Sequence, residues 1–398
     1  MIPALLPTTN AVLDTASQLL LICARPKLSP AMRPVLRALL ERGLDWGQLI
    51  TAARRNFVVV LLRKHLVEHA ADLVPQDVLS ELERWRMLNA ARSLEIVRIQ
   101  RWLALDILAE NQHAFLKGAT LSNQYYGDTY SRQYRDIDLL LERPMLTVAA
   151  KKLVAAGFEI TKPAALGIEQ FDACLRYVPV VELRSPTGIM IELHQALAKS
   201  GCVFSTSKYL KASVARPVEG IDLRVLPCTE LFVYLCFHHS KHRWSSLHWC
   251  ADLEAFWQHP ELNPLQINAL ARKLGLAATV EESWKLRSEL ETLALYGALP
   301  AERPPSRLLA DCMAALTRSF LPVIEPPEQR REPDFPYGWQ KTPGYRWRIQ
   351  CARFHPSAYD YFDWPLPARW HWLYYLVKPL RVMRSGLGRL RKPQGASG

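Results

Sequence analysis

Apolar residues recur at helical spacing through the first hundred residues of the chain. The segment LSPAMRPVLRALLERG begins with a Ser-Pro pair and ends at Gly43, and a longer helix is predicted across residues 83–111. We therefore predict a helical N-terminal region at residues 1–112. The stripe that the longer helix is expected to bury consists of Ile96, Ile99, Leu103 and Ile107.

Shorter apolar runs follow between residues 113 and 225. HAFLKG is stopped by Gly118, IDLLL is a second run, and MLTVAAKKLVAAGF predicts a helix with Gly157 at its C-cap. Apolar and polar residues alternate on both sides of SPTG, which predicts a β-hairpin. The order of strand, turn, helix, strand, helix and hairpin predicts an α+β fold whose core, at residues 113–225, is a mixed sheet.

The pattern becomes helical again after residue 226. It continues to about Gly297 and ends near LPAERPP, so residues 226–321 predict a separate helical domain. Residues 322–398 begin with a stretch rich in proline and charge, which predicts an irregular arm rather than another core. A basic C-terminal segment follows the arm.

Composition adds charge to this picture. The 398 residues have 49% hydrophobic content, enough for two or three packed units, and a formal net charge of +12, which favours anionic partners. Residues 378–398 carry six basic side chains and no acid. The first residues lack the basic start of a secretory signal and no apolar run approaches a membrane span, so we expect a cytoplasmic protein. Eight cysteines without a CxxC pair indicate reduced thiols, mostly in the core.

Candidate chemistry concentrates in FLKGATLSNQYYGDTYSRQYRDIDLLL. Asp136 and Asp138 lie two residues apart on a predicted strand, so both point to the same face, where like charges disfavour each other unless a positive group lies between them. The turn at Gly118 leads into a helix N-terminus, which offers backbone N–H groups to a polyphosphate. A third carboxylate on an adjacent strand would complete a two-metal site that holds Mg²⁺, and the second hairpin strand carries Glu192.

These residues resemble the nucleotidyltransferase superfamily with the DNA polymerase beta-like fold. The nearer resemblance is to a bacterial family of uncharacterised nucleotidyltransferases, whose order of motifs is matched by Lys117-Gly118, Arg132, residues 136–140 and residues 192–194. The combined pattern covers about residues 85–200. It implies a nucleotidyltransferase-like sheet core and Mg²⁺-dependent transfer of a nucleotidyl group from a nucleoside triphosphate to an acceptor.

The resemblance also implies residue roles. Asp136, Asp138 and Glu192 are expected to bind the metal and to be catalytic. Ala119 departs from the pattern, which usually has Gly or Ser there, so either the Thr120 hydroxyl or backbone amides would contact a phosphate. The residues expected on the nucleotide are Lys117, Gly118, Thr120, Arg132 and His194. An ion pair with an acid is an equal alternative for Lys117, and a structural hydrogen bond is an equal alternative for His194.

Several alternatives stay open at the level of sequence. The aspartates could form surface ion pairs at a strand end with Arg132 and Arg135. His238 and His242 have a zinc-binding spacing, although packing or contact with an anionic substrate is the favoured interpretation. The acceptor could be a peptide, a saccharide or, as in toxin-like relatives, a tRNA, and a non-catalytic nucleotide-binding module is the further alternative. The basic tail could contact a membrane surface or nucleic acid weakly, or follow a docked helix.

Overall fold

A computed structural model describes residues 13–109, 111–163, 175–198, 201–300, 305–321, 340 and 342–378. These ranges contain many helices and one mixed sheet of seven strands, which confirms the predicted α+β class. The predicted arm at 322–339 and all of the basic tail after Lys378 lie outside the described residues. No described helix has the length and apolar character needed to cross a membrane.

The helices and strands are numbered here in chain order. The helices are α1 Thr15–Cys23, α2 Met32–Leu40, α3 Trp46–Arg55, α4 Val59–Ala70, α5 Gln76–Trp102, α6 Ala119–Tyr126, α7 Arg143–Ala155, α8 Thr206–Ala212, α9 Cys228–Lys241, α10 Leu247–Trp257, α11 Pro264–Leu274, α12 Ala277–Tyr296, α13 Arg307–Ser319, α14 Pro343–Arg353 and α15 Ala358–Asp363. The strands are β1 His113–Phe115, β2 Asp136–Leu141, β3 Glu159–Lys162, β4 Val180–Arg184, β5 Met190–His194, β6 Val214–Val218 and β7 Ile221–Val225.

The strands lie in the order β3-β4-β5-β2-β1-β7-β6. β4 and β5 are antiparallel with Glu182 opposite Glu192, and the Ser185 amide donates to the Ile189 carbonyl across the turn over 2.8 Å, so the predicted SPTG hairpin is confirmed. β6 and β7 form a second antiparallel pair, and β1 runs parallel to β7. Both parallel and antiparallel pairs occur, as expected of a mixed sheet.

Two predicted helix ends differ from the structure. The helix predicted to continue to residue 111 ends at Trp102, and Leu103–Leu108 form a π-helical turn, although the predicted stripe from Ile96 to Ile107 is buried as expected. The helix predicted to be capped by Gly157 ends at Ala155 with Ala156 as its C-cap. Gly157 follows with φ +87°, the left-handed position just beyond a C-cap, which glycine adopts without a steric cost.

The described chain forms two compact units, each assembled from separate stretches of sequence. The first contains the described residues of 1–103, 115–136 and 214–340. In this unit α1 packs against α12, where Gln18 Nε2 donates to the Ala294 carbonyl over 3.0 Å. The Leu13 amide also donates to the Gly297 carbonyl over 2.8 Å. The N-terminal end of this unit is therefore held against the C-terminal part of α12 by these hydrogen bonds.

The second unit contains the described residues of 104–114, 137–213 and 341–398. In β2, Ile137 and residues 139–141 are completely buried, so both faces of this strand are covered. That double burial explains why IDLLL reads as a continuous apolar run rather than an alternating one. Asp138 in the middle of the run is therefore a carboxylate placed in a core strand.

The described cysteines are free thiols, as predicted. Most are buried, and Cys250 and Cys312 lie with their sulfur atoms 3.7 Å apart in the first unit. Burial raises the pKa of Cys23 to about 12, so this thiol is protonated at neutral pH. The prediction for Cys174 falls outside the described residues.

Candidate functional site

Two neighbouring strands carry the predicted acidic residues. β5 lies beside β2 in the sheet, so the second hairpin strand is next to the aspartate strand. Asp138 is the third residue of β2, and Glu192 and His194 are the third and last residues of β5. The alternation of side chains along β5 puts Glu192 and His194 on one face.

Asp138, Glu192 and His194 form one compact cluster. One donor atom from each residue lies within 4.8 Å of the donor atoms of the other two. His194 Nε2 is 3.1 Å from Asp138 Oδ1 and 3.3 Å from Glu192 Oε2. The side chains of Asp138 and His194 are buried, whereas that of Glu192 is 29% exposed. Solvent therefore reaches the cluster from the Glu192 side.

The imidazole of His194 lies between the two carboxylates. Burial opposes its protonation, but hydrogen bonds to Asp138 and Glu192 and their negative charges outweigh that effect and raise the pKa of His194. The sequence left two roles open for His194, contact with the nucleotide and a structural hydrogen bond, and a metal ion was expected as the positive group beside the acids. The position of His194 two residues after Glu192, on the same face of the strand, was the signal in the sequence for the contact between these two side chains.

Asp136 lies at the edge of this arrangement. It is the first residue of β2, is partly exposed, and stands outside the cluster formed by Asp138, Glu192 and His194. Its backbone carbonyl borders the predicted turn, because a Cβ atom added to Gly118 would lie 3.2 Å from that oxygen. The glycine turn and the start of the aspartate strand are thus in direct contact.

The turn before α6 requires glycine for its backbone as well as for space. Gly118 has φ +70° and ψ −131°, which L-residues rarely adopt, and α6 begins with the next residue, Ala119. Thr120 is buried and its hydroxyl donates to the Lys117 carbonyl over 3.0 Å. The first amides of α6 have no carbonyl in the preceding helical turn to accept from them, as at any helix N-terminus.

Gly118→Ala should destabilise the protein by about 1–3 kcal/mol, since the new side chain meets both an unfavourable φ and the Asp136 carbonyl. Urea unfolding of the two proteins measures this difference. Gly188→Ala is the control, because Gly188 also has positive φ but nothing within 4 Å of an added Cβ. If Gly118→Ala lowers the unfolding free energy no more than Gly188→Ala does, the close approach of Gly118 to the Asp136 carbonyl makes no contribution to stability.

Arg132 is held by a buried carboxylate that the sequence did not indicate. Its Nε donates to Asp252 Oδ1 over 2.7 Å and its Nη2 to Oδ2 over 2.9 Å, and both side chains are almost completely buried. Tyr126 Oη also donates to Asp252 Oδ1 over 2.8 Å, and His239 Nε2 is 3.4 Å from Oδ2. The contact of Arg132 with a nucleotide stays a prediction, while its bidentate pairing fixes the segment that leads into β2.

Lys117 and the predicted histidine pair meet at α9. Lys117 Nζ lies 3.3 Å from His238 Nε2, and the rings of His238 and His242 have centroids 5.2 Å apart. Burial, with the nearby Lys117 charge, holds the pKa of His238 well below its usual range, so its ring is neutral. Within the described residues, neither histidine belongs to a group of three metal-binding side chains.

The sequence matches a known protein family over much of its length. A sequence model for a family described as "Uncharacterised nucleotidyltransferase" matches residues 42–290, more than half of the chain. The chain belongs to this family. No curated protein sequence matches it significantly. Among solved structures it is similar to an antigenic nucleotidyltransferase-like protein from Paracoccidioides brasiliensis, with 17% identity, 53% of this chain and 93% of the other covered, and a TM-score of 0.27, which is too low to carry an argument.

The matched family region includes every predicted site residue. It also includes Asp252, which pairs with Arg132, and His239, which lies beside Asp252. Sequence reasoning missed these two residues because they lie in α10 and α9, more than a hundred residues beyond Arg132, in helices with no catalytic motif. The signal in the sequence was weak, because each is one of several polar residues in a largely apolar helix.

His239 should make the stability of this nucleotidyltransferase family member depend on pH. Burial lowers the pKa of His239 to about 4, although Asp252 pulls it upward; Lys117 and Arg132 also lower it. Because the unfolded ring has its usual pKa of about 6.5, the unfolded state binds more protons between these values, and stability falls as the pH falls through that window.

Urea unfolding of the parent and His239→Gln from pH 7 to pH 4 tests this dependence. We expect a steeper loss of unfolding free energy in the parent, because only the parent must protonate this ring on unfolding. Carboxylates titrate in both proteins, so the comparison isolates His239. Parallel pH profiles would contradict the assignment.

Proposed function

We propose that this protein is a nucleotidyltransferase that moves a nucleoside monophosphate group from a nucleoside triphosphate to an acceptor hydroxyl or phosphate, with release of pyrophosphate. Residues 113–225 are the proposed core, with the chemistry of the DNA polymerase beta-like superfamily. The observation that carries the proposal is the meeting of Asp138 and Glu192, from β2 and β5, in a cluster open on one side. Family membership supports it independently.

The donor chemistry of the cluster fits Mg²⁺ through its carboxylates. Asp138 and Glu192 offer hard oxygen ligands of the kind Mg²⁺ prefers, and Asp136 would add a third from the beginning of β2. An imidazole nitrogen is a poor Mg²⁺ ligand, so His194 is proposed as the residue that orients Asp138 through its hydrogen bond. When bound, Mg²⁺ would supply charge neutralisation and polarisation at the phosphate oxygens.

The exposure of each side chain in the cluster decides the role that is proposed for it. Glu192 is partly exposed, so its carboxylate is the proposed acceptor of the proton from the attacking hydroxyl. His194 holds Asp138 in one orientation from within the buried part of the cluster. Asp138 is completely buried on the strand and is thus fixed before any substrate arrives.

The nucleotide contacts are proposed for the turn before α6. Its backbone amides, with Gly118 allowing the approach of a phosphate, suit a polyanion. Lys117 would reach a phosphate with a point charge, which requires it to leave His238. Because the Thr120 hydroxyl already donates to a carbonyl, the amides are the proposed donors and Thr120 and Arg132 would act by fixing the backbone around them.

The acceptor is proposed to be a peptide or saccharide that the enzyme tailors in the cytoplasm, where nucleoside triphosphates are available. A tRNA acceptor is the second candidate, favoured by the net charge of +12. The two candidates differ in one measurable way, because only the tRNA reaction adds a nucleotide to a nucleic acid.

Purified protein incubated with Mg²⁺ and each of the four α-³²P-labelled triphosphates, with and without cell extract, tests the function. We expect label in a macromolecule or small acceptor from one of them, and none from the γ-labelled form, since pyrophosphate leaves. Nuclease or protease treatment of the product identifies the acceptor class. Transfer of the γ-label instead would contradict nucleotidyl transfer, and binding without any transfer would identify a non-catalytic module.

A further inference from the structure

A second group of metal-binding side chains lies on α4, outside the residues assigned to nucleotidyl transfer. The sequence HLVEH puts His65, Glu68 and His69 at helix positions i, i+3 and i+4, which share one face. One donor atom from each lies within 4.8 Å of the other two. Two histidines four residues apart on a helix are the spacing found in helical zinc sites.

A hydrogen bond between His65 and a backbone carbonyl leaves its other ring nitrogen available to a ligand. Its side chain is completely buried, and its Nε2 lies 2.8 Å from the Arg25 carbonyl oxygen. A carbonyl can only accept, so Nε2 carries the ring proton and Nδ1 keeps its lone pair. Nδ1 is also buried and has no hydrogen-bond partner in the described part of the chain. A buried polar atom without a partner is unfavourable, and a bound ion would give this nitrogen one.

The other two side chains open this group to solvent. His69 is 18% and Glu68 49% exposed, and Glu68 Oε2 lies 3.7 Å from His69 Nε2. The rings of His65 and His69 are stacked at an interplanar angle of 10°, with centroids 6.0 Å apart. An ion can therefore approach from the surface and meet one buried and two accessible donors.

We propose that His65, Glu68 and His69 bind a single Zn²⁺ ion on α4. Two imidazole nitrogens and one carboxylate oxygen are ligands that Zn²⁺ accepts in tetrahedral sites, with water in the fourth position, whereas Mg²⁺ prefers oxygen alone. The Arg25 carbonyl supplies the outer hydrogen bond that commonly fixes a zinc-binding histidine.

A further feature of α4 supports this site. The helix ends at Ala70, so the three residues lie in its last turns, where the partial negative charge of the carbonyl ends favours a cation.

Zinc binding by the untagged full-length protein tests the proposal. After removal of metal with a chelator, Zn²⁺ alone is added in competition with a chromophoric chelator, and bound metal is measured by elemental analysis. We expect one zinc per chain in the Asp138→Asn background, in which the cluster on β2 and β5 has lost a ligand. We also expect visible absorption typical of four-coordinate Co²⁺ when cobalt replaces zinc.

His69→Gln and Glu68→Gln should each weaken zinc binding about tenfold or more, and the cobalt absorption should be lost. Both residues are partly exposed, so the variants should fold, which circular dichroism verifies. His355→Gln, at a partly exposed histidine outside the group, is the matched control and should bind zinc like the parent. Absence of zinc from the parent, or equal affinity in His69→Gln and the parent, would overturn the proposal.

Discussion

Asp138→Asn should reduce nucleotidyl transfer by about 10³-fold or more. The bound metal is expected to contribute several kcal/mol to the transition state, and each 1.36 kcal/mol is a factor of ten in rate. Asparagine keeps the shape of Asp138 but loses the charge that holds a cation. The measurement is the initial rate of label transfer from the triphosphate that the parent uses, together with the thermal stabilisation by Mg²⁺ plus that triphosphate.

Two further variants sharpen this result. Glu192→Gln should also lose most activity and metal-dependent stabilisation, since it removes the second carboxylate of the cluster. Asp222→Asn, at an exposed strand position of β7, is the matched control and should resemble the parent in both measurements. Parental stabilisation by Mg²⁺ and triphosphate in both cluster variants would refute the assignment of these carboxylates to a metal.

The histidine between the carboxylates changes the expected stability of the metal-free variant. Repulsion among carboxylates alone would make Asp138→Asn as stable as the parent or more so. His194 already lies 3.1 Å from Asp138 Oδ1, so the substitution removes a charge-assisted hydrogen bond from a buried ring. We therefore expect a loss of about 1–3 kcal/mol without metal, measured by urea unfolding in the presence of a chelator.

Asp252→Ala should destabilise the protein by about 3–5 kcal/mol, the largest stability effect that we expect from a single substitution. It would leave the guanidinium of Arg132 buried without its carboxylate, and it would also remove the acceptor of the Tyr126 hydroxyl. Burial disfavours the charged form of Asp252, but Arg132 and His239 hold its pKa below the usual range. Unfolding free energies in urea provide the measurement.

A double-mutant cycle separates the ion pair from the packing around it. Arg132→Met with Asp252→Ala should cost clearly less than the sum of the two single substitutions, because neither charge is then left buried alone. Arg37→Met and Asp72→Ala break an exposed bidentate pair and should show coupling of less than about 1 kcal/mol. Additive losses at Arg132 and Asp252 would contradict a specific role for their pairing.

Local patterns in the sequence were sufficient for much of the fold. The SPTG turn and the alternating residues on either side predicted β4 and β5, and the run IDLLL predicted β2, because turn chemistry and side-chain alternation act between near neighbours. The end of α5 was placed too late, since apolar residues continue at the same spacing through the π-helical turn that follows. The spacing of apolar residues reports which side chains are buried. Those side chains remain buried where the backbone changes from α-helical to π-helical hydrogen bonding, so the spacing does not mark the end of α5.

Long-range pairing explains what the sequence did not reveal about the site. The resemblance to nucleotidyltransferases implied that Asp138 and Glu192 belong to one site, because the order of the motifs is recognisable in the sequence. Asp252, the partner of Arg132, lies in a helix 120 residues further along, and only the tertiary structure brings the two together. The functional roles of these residues remain predictions that the variants above would test.

The contact between α1 and α12 has a consequence for synthesis of the protein. Gln18 and Ala294 are 276 residues apart in the chain, and α1 contains several fully buried leucines. At a translation rate of about 5–20 residues per second, the face of α1 that packs against α12 would stay uncovered for roughly 15–55 s until α12 is synthesised. An apolar surface exposed for that long on the ribosome is a target for chaperones, and stalling before residue 290 should leave the nascent chain prone to aggregation.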